Sequence, residues 1–261
     1  MRVALAQLIA STDPAANLNQ VRAHIKRAVA AGAELLVLPE ATMCSFSRPR
    51  ADTAEPFDGP WATAVRAAAA AAGLTVVVGM FTTTGTDRVA NTLLATGVVE
   101  ARYDKLHLFD ALGYAESRQI QPGTQPVHFD LAETRIGLAT CYDVRFPQLF
   151  THLAGTGAEL ILLPASWAPG EHKLHQWRTL VTARAMDATA FVVAVDQALS
   201  PAAADGRTPT GIGHSMVVDP TGDVLLELGD DPEFAVIDLN LAQVAEVRRR
   251  LPVLEHTRRF N

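Results

Sequence analysis

Six apolar runs punctuate the chain: VALAQ (3–7), AELLVLPE (33–40), TVVVGM (75–80), RIGLATC (135–141), AELILLPA (158–165) and AFVVAVDQ (190–197). Most lack the strict apolar–polar alternation of a half-exposed strand, so they predict strands buried on both faces. Helix signals lie between them. Asp13-Pro14 reads as a cap and first-turn pair for a helix over about 15–31, and Gly32 stops it. Further helices are predicted over 60–72, over about 147–154 with Gly155 and Gly157 at its end, and over 173–188. Segments 91–105 and 214–228 each carry a Thr-Gly pair between short apolar runs, the mark of a hairpin.

The order of these elements repeats. From residue 3, and again from 135, the chain runs strand, helix, strand, helix, strand, hairpin. The repeat is visible in the letters themselves, since AELLVLPE and AELILLPA differ at three positions of eight. An α/β fold of two pseudo-symmetric halves follows, with two sheets stacked face to face and helices outside, an α-β-β-α sandwich. A single doubly wound sheet is the alternative, but the duplicated hairpins supply edge strands for two sheets. Residues 1–261 are expected to form one domain, a length that can bury a sizeable core.

Composition narrows the function. The net charge is −6 and no basic patch stands out, RRR at 248–250 having Glu246 and Glu255 nearby, so no nucleic-acid partner is expected. The uncharged stretch 67–86 changes midway from Ala-rich to Val-rich, as a helix end followed by a strand would, and no membrane span is expected. Cys44 and Cys141 are the only cysteines. They make no disulfide framework and fit a reducing, cytoplasmic address.

Three reactive residues follow apolar runs, where ligands of α/β sheets gather: Glu40 in LVLPEATM, Lys105 in YDKLHLFD and Cys141 in ATCYDVRFPQLF. A thiol attacks carbonyl or nitrile carbon once a base or positive neighbour assists its ionisation. Glu40 could take its proton, and Lys105 could steady the thiolate and an oxyanion. His107 reads as a support for the Lys105 loop. His172 and His175 are three apart but lack a third ligand, so no metal is expected. Asp143 and Arg145 could pair with each other, and Arg145 is the better candidate for a substrate carboxylate because its planar fork suits one. Trp167 fits a pocket wall and core packing equally, and Cys44 is read as structural. No Walker loop, G-x-S-x-G elbow or dinucleotide fingerprint appears.

Taken together, PEATM, YDKLHLFD, CYDVRFP and GHSMVVDPTGDV resemble the nitrilase superfamily of carbon–nitrogen hydrolases over almost the whole chain. The pattern HLFD…ES…PG with CYDxRFP is similar to the small-amidase branch that includes deaminated-glutathione amidase and omega-amidase. The resemblance implies an α-β-β-α fold and a Glu-Lys-Cys triad: Cys141 as nucleophile, Glu40 as general base, Lys105 as oxyanion stabiliser. It implies a second oxyanion donor in the Tyr142 backbone amide and a second glutamate at Glu116. The expected activity is cofactor-free hydrolysis of a small amide through a thioester. Nitrilase or N-carbamoyl hydrolase activity is the runner-up, and a non-catalytic interaction protein of the same fold the remote alternative. The superfamily also implies a homodimer or larger assembly. Candidate contacts are Phe146, Leu149, Phe150 and Leu153, at helical spacing after Cys141, and the tail LPVLEHTRRFN as an arm over a partner.

Overall fold

In a computed structural model that describes residues 1–200 and 209–258, the first half contributes β1 (Arg2–Gln7), α1 (Pro14–Ala30), β2 (Leu35–Val37), α2 (Pro60–Ala72), β3 (Thr75–Thr83), β4 (Val89–Thr96) and β5 (Ala101–Asp104). A short pair, β6 (Asp110–Ala111) and β7 (Tyr114–Ala115), and the strand β8 (Val127–Leu131) lead into the second half. That half contains β9 (Thr134–Leu138), α3 (Pro147–Gly155), β10 (Leu160–Ala165), α4 (Lys173–Ala188), β11 (Phe191–Asp196), β12 (Met216–Val218) and β13 (Val224–Glu227). It is followed by β14 (Glu233–Asp238) and α5 (Ala242–Arg250). The expected helices form within a residue or so of their sequence limits. Asp13 caps α1 by accepting the Ala15 N–H at 2.9 Å, so the Asp-Pro signal acts as read.

Two six-stranded sheets result, ordered β14-β1-β2-β3-β4-β5 and β13-β12-β11-β10-β9-β8. Within each, the first three strands of the half run parallel and the hairpin adds antiparallel strands. One apolar layer lies between the sheets: Leu35, Val37 and Val77 of one meet Leu160, Leu162 and Val193 of the other. The alternate residues face outward onto helices. Leu36 and Leu38 pack under Val21, Ile25 and Val65, while Ile161 and Leu163 pack under Leu149, Leu153 and Val181. Period-two burial on both faces explains the unbroken apolar letters.

The outer strands were not legible in the repeat. After its hairpin, each half sends one more strand to the other half's sheet: β8 pairs antiparallel with β9, and β14 pairs antiparallel with β1. The halves therefore exchange edge strands.

Two expectations need correction. Strand β9 ends at Leu138, and Cys141 opens a 3-10 turn, Cys141–Arg145, instead of ending the strand. Leu149, Phe150 and Leu153 are buried against their own sheet, so they form no outward face of α3. The last three residues of the expected arm, 259–261, lie outside the described residues. No helix among the described residues is long and apolar enough to cross a membrane.

Candidate active site

Glu40 lies three residues beyond β2, and its loop rests on β3. Met43 N–H donates to the Gly79 carbonyl, and Gly79 N–H to that of Pro39. A Cβ at Gly79 would come 2.5 Å from Ala41 N and 2.7 Å from Glu40 Cα, so only glycine lets the loop lie this close. The Glu40 carboxylate is fully engaged. Oε1 accepts from Asn91 Nδ2 at 2.7 Å and Lys105 Nζ at 3.1 Å, and Oε2 accepts from the Ser166 N–H at 2.8 Å. Ser166 follows the second copy of the repeated phrase, so one copy supplies the carboxylate and the other a backbone donor to it.

Lys105 follows β5, its N–H donating to the Asn91 carbonyl on the adjacent strand. Nζ reaches Glu116 Oε1 and Oε2 at 3.1 and 3.0 Å as well as Glu40. Glu116 begins a 3-10 turn after β7, where Phe109 N–H donates to its Oε2 at 2.8 Å. Asn91 Nδ2 also reaches Glu116 Oε1, at 3.3 Å, and so bridges the two carboxylates. Glu40, Lys105 and Glu116 are each at most 4% exposed, so water contributes little to their solvation and these contacts must supply it.

Cys141 has φ +46°, a strained value for a side-chain-bearing residue. Asp143 holds the turn. Its carboxylate accepts from Thr140 N–H (2.7 Å), the Tyr103 hydroxyl (2.6 Å) and His107 N–H (3.1 Å), and contacts His107 Nδ1 at 2.7 Å. Asp143 therefore ties the Cys141 turn to the loop that carries Lys105. His107 supports that loop as expected, also stacking on Phe146 with ring centroids 3.7 Å apart. Asp143 does not pair with Arg145. Arg145 instead donates to Gln176 Oε1 at 2.6 Å and lies 5.2 Å from the Trp167 ring centroid.

Glu40, Lys105, Glu116 and Cys141 share one recess of about 520 Å³, part of it open to solvent. Tyr142 and Trp167 line it, as do Phe46, Phe109, Tyr114 and Lys173; Arg145 is absent from its wall. Cys44 is buried away from the recess, its thiol at 3.6 Å from the Thr12 carbonyl. Asn91, Ser166, Tyr114 and Lys173 escaped the sequence reading. Asn91 could have been noticed as the one amide side chain in the hairpin strand VANTLLAT; the others have no local signal. Among the described residues no cluster of three metal-ligating side chains forms.

The electrostatics suit a protonated thiol beside a poised base. Burial pushes the Cys141 thiol well up, the Glu40 charge adds to this, and Lys105 and the Ser166 N–H oppose it. Burial also raises Glu40, with Lys105 working against it and Glu116 with it. Burial alone would lower Lys105, but Glu116, Glu40 and Cys141 outweigh it and leave the ammonium well above its ordinary value. A thiol, a carboxylate and a firmly charged ammonium around one recess are the parts needed for covalent acyl transfer.

Known proteins carry the same frame. A hydrolase of Mycobacterium tuberculosis is 46% identical over 270 residues, which cover 100% of this chain and 96% of the relative. A deaminated glutathione amidase of Escherichia coli is 32% identical over 230 residues, 86% of this chain and 84% of the relative. A superfamily protein of Xanthomonas campestris, solved with an arsenic adduct in its active site, superposes with a TM-score of 0.87 at 27% identity, covering 100% of this chain and 98% of its own. The sequence model of the carbon-nitrogen hydrolases matches residues 2–249, from the first strand to the last helix. With the exchanged-sheet fold and the buried carboxylate–ammonium cluster beside Cys141, this places the chain in the carbon–nitrogen hydrolase (nitrilase) family.

Proposed function

We propose that the protein is an amidase that hydrolyses a small linear amide to a carboxylic acid and ammonia, without a cofactor, through a thioester on Cys141. The observation that carries this reading is the recess in which Cys141 meets Glu40 and the Glu40–Lys105–Glu116 cluster. The similarity to a deaminated glutathione amidase favours an amide over a nitrile or a carbamoyl group.

Because burial keeps the thiol protonated, attack requires a base. Glu40 accepts the Cys141 proton as sulfur bonds to the amide carbon. The carbonyl oxygen takes up the negative charge facing Lys105 Nζ and the Tyr142 N–H, one of the donors that a helical start leaves unpaired. Collapse restores the C=O bond and breaks C–N. The departing nitrogen takes the proton from Glu40 and leaves as ammonia. Water then gives a proton to Glu40 as its oxygen attacks the thioester. The second collapse releases the acid, and the sulfur recovers that proton. Glu116 holds Lys105 by both oxygens and keeps the ammonium directed at the reacting carbonyl oxygen.

Ammonia release from a panel of small amides, nitriles and carbamoyl compounds, with mass spectrometry of the Cys141 adduct, tests the reading. Amide turnover with an acyl adduct is the expected result. Turnover of nitriles alone would assign the nitrilase chemistry instead, and no adduct on Cys141 with any compound would leave the fold as an interaction protein. We also read residues 1–261 as one working unit in the cytoplasm that self-associates as at least a dimer. With the apolar face of α3 turned inward, Met186, Leu251 and Val253, all exposed and lining one surface hollow, are candidates for that contact. Light scattering at micromolar concentration checks it.

A further inference from the structure

One cation serves two carboxylates at the base of the recess. Lys105 Nζ lies 3.1 Å from Glu40 Oε1 and 3.1 Å from Glu116 Oε1. Asn91 Nδ2 lies 2.7 Å from the first of these oxygens and 3.3 Å from the second. The four atoms close a ring in which donors and acceptors alternate. Asn91 is 1% exposed, and its amide has two N–H bonds, one for each carboxylate.

The amide holds this orientation at a cost. Its Oδ1 is buried with no hydrogen-bond partner, and an unpaired buried carbonyl is unfavourable. Turning the amide over would be worse, since it would aim that oxygen at two carboxylates. The site gives up one acceptor to keep two donors in place. The backbone fixes their direction. Asn91 pairs with Phe81 across the β3–β4 hairpin, and its carbonyl accepts from the Lys105 N–H at 2.9 Å. Strand β3 also carries Gly79, on which the Glu40 loop rests. One hairpin therefore sets Asn91 against both partners of the ion pair.

A neutral donor suits this position. The ionisable groups facing Glu40 are Lys105, Glu116, the Cys141 thiol and Asp196 at the end of β11, and Lys105 is the one cation among them. With only that ammonium between them, the two carboxylates would repel each other and favour taking up a proton. A second cation would hold Glu40 so firmly ionised that it would accept no proton from a thiol. An amide N–H steadies the carboxylate without adding charge and has no proton to give up. The Asn91 bond accordingly lowers the Glu40 pKa while burial raises it.

We propose that Asn91 is a positioning residue for the reaction: its two N–H bonds hold Glu40 and Glu116 apart on the shared ammonium and keep Glu40 ionised, ready to accept the thiol proton. This rests on the amidase reading of the same site. Asn91 touches no reacting atom and acts through Glu40, Glu116 and Lys105.

The test uses iodoacetamide, which reports on the thiol and its base without needing turnover. The Cys141 sulfur displaces iodide as its proton passes to Glu40, and mass spectrometry follows the adduct. In the wild type the rate should rise with pH through an inflection above the ordinary glutamate figure of about 4.3. Asn91→Leu, near in size and without donors, should move the inflection up by about one pH unit, and Asn91→Asp should move it further. The acid limb of ammonia release from the panel of small amides should move equally, with KM changed less than about threefold. Glu116→Gln moves the inflection the other way, so adding it to Asn91→Leu should bring the inflection back down. Urea denaturation checks the fold; Asn91→Val, β-branched as a strand prefers, carries the same expectation should Asn91→Leu not fold. A merely slackened site would slow alkylation at every pH and leave the inflection where it was. An inflection that stays in place, or moves down, with Asn91→Leu would overturn the proposal. Ammonia release whose acid limb ignores Asn91→Leu would remove the role of Asn91 and keep the amidase. A shifted alkylation inflection with no ammonia from any compound would sink the amidase and keep Asn91 as the residue that sets Glu40.

Discussion

Residues 33–40 and 158–165 are one phrase used twice, and the two copies do opposite work. Both place alternate apolar side chains between the sheets and under helices. The first copy ends on Glu40, 1% exposed and held by three donors; the second ends on Ala165, fully buried, followed by Ser166 as one of those donors. A repeated scaffold brings equivalent strand ends together, but a buried site cannot take a carboxylate from each. Glu40 and Glu116 already share one ammonium. The asymmetry extends outward: the first half and the segment after it supply Glu40, Asn91, Lys105 and Glu116, and the second supplies Cys141, the recess-lining Tyr142 and the backbone N–H of Ser166.

Removing the second half's contribution should have the largest effect. Cys141→Ala is expected to lower kcat by at least about 10⁴-fold with the circular dichroism spectrum unchanged, whereas Cys44→Ala stays within about threefold. Forcing the copies to match comes next. Ala165→Glu would bury a carboxylate with no cation to pair it, and chemical denaturation should show a loss of about 3–5 kcal/mol. Stability within about 1 kcal/mol of wild type would show that the site tolerates a third carboxylate.

Lys105→Ala should lower kcat by about 100-fold or more, and added substrate should not restore it. An effect confined to KM would make Lys105 a binding residue only. Glu116→Gln should have the smallest effect, about 10-fold in kcat, with a signature in the pH profile. On the proposed mechanism the ionised form of Glu40 is the active one, and its pKa is raised by burial and by Glu116 against the pull of Lys105. Activity is therefore lost as pH falls through a value above the ordinary glutamate figure of about 4.3. Removing the Glu116 charge favours ionised Glu40, so this acid limb should move to lower pH. A limb that moves up, or stays in place with full activity, would place Glu116 outside the charge cluster.

The chain by itself determined the layers and the residues that are candidates for the chemistry. Unalternating runs such as LLVL and LILL require burial on both sides, and the repeated order of elements requires two sheets, so the sandwich was readable from residue type and spacing. Glu40, Lys105 and Cys141 were legible as candidates because each lies in a distinctive motif, and Glu116 through the resemblance. Tertiary structure alone decided the rest. The exchanged strands β8 and β14 were hidden because edge strands are buried on one side at most; EFAVID has both ends exposed and no residue fully buried. Asp143 bonds Tyr103 and His107, 40 and 36 residues away, in preference to Arg145 two residues along, because it points into the closed interior where unmet donors await it, while Arg145 turns to Trp167 and Gln176. Asn91, Ser166, Tyr114 and Lys173 reach the recess for the same reason. Their chemistry depends on which polar groups the packed sheets leave facing one another, and that pairing spans up to 126 residues between Ser166 and Glu40, beyond the reach of any local pattern.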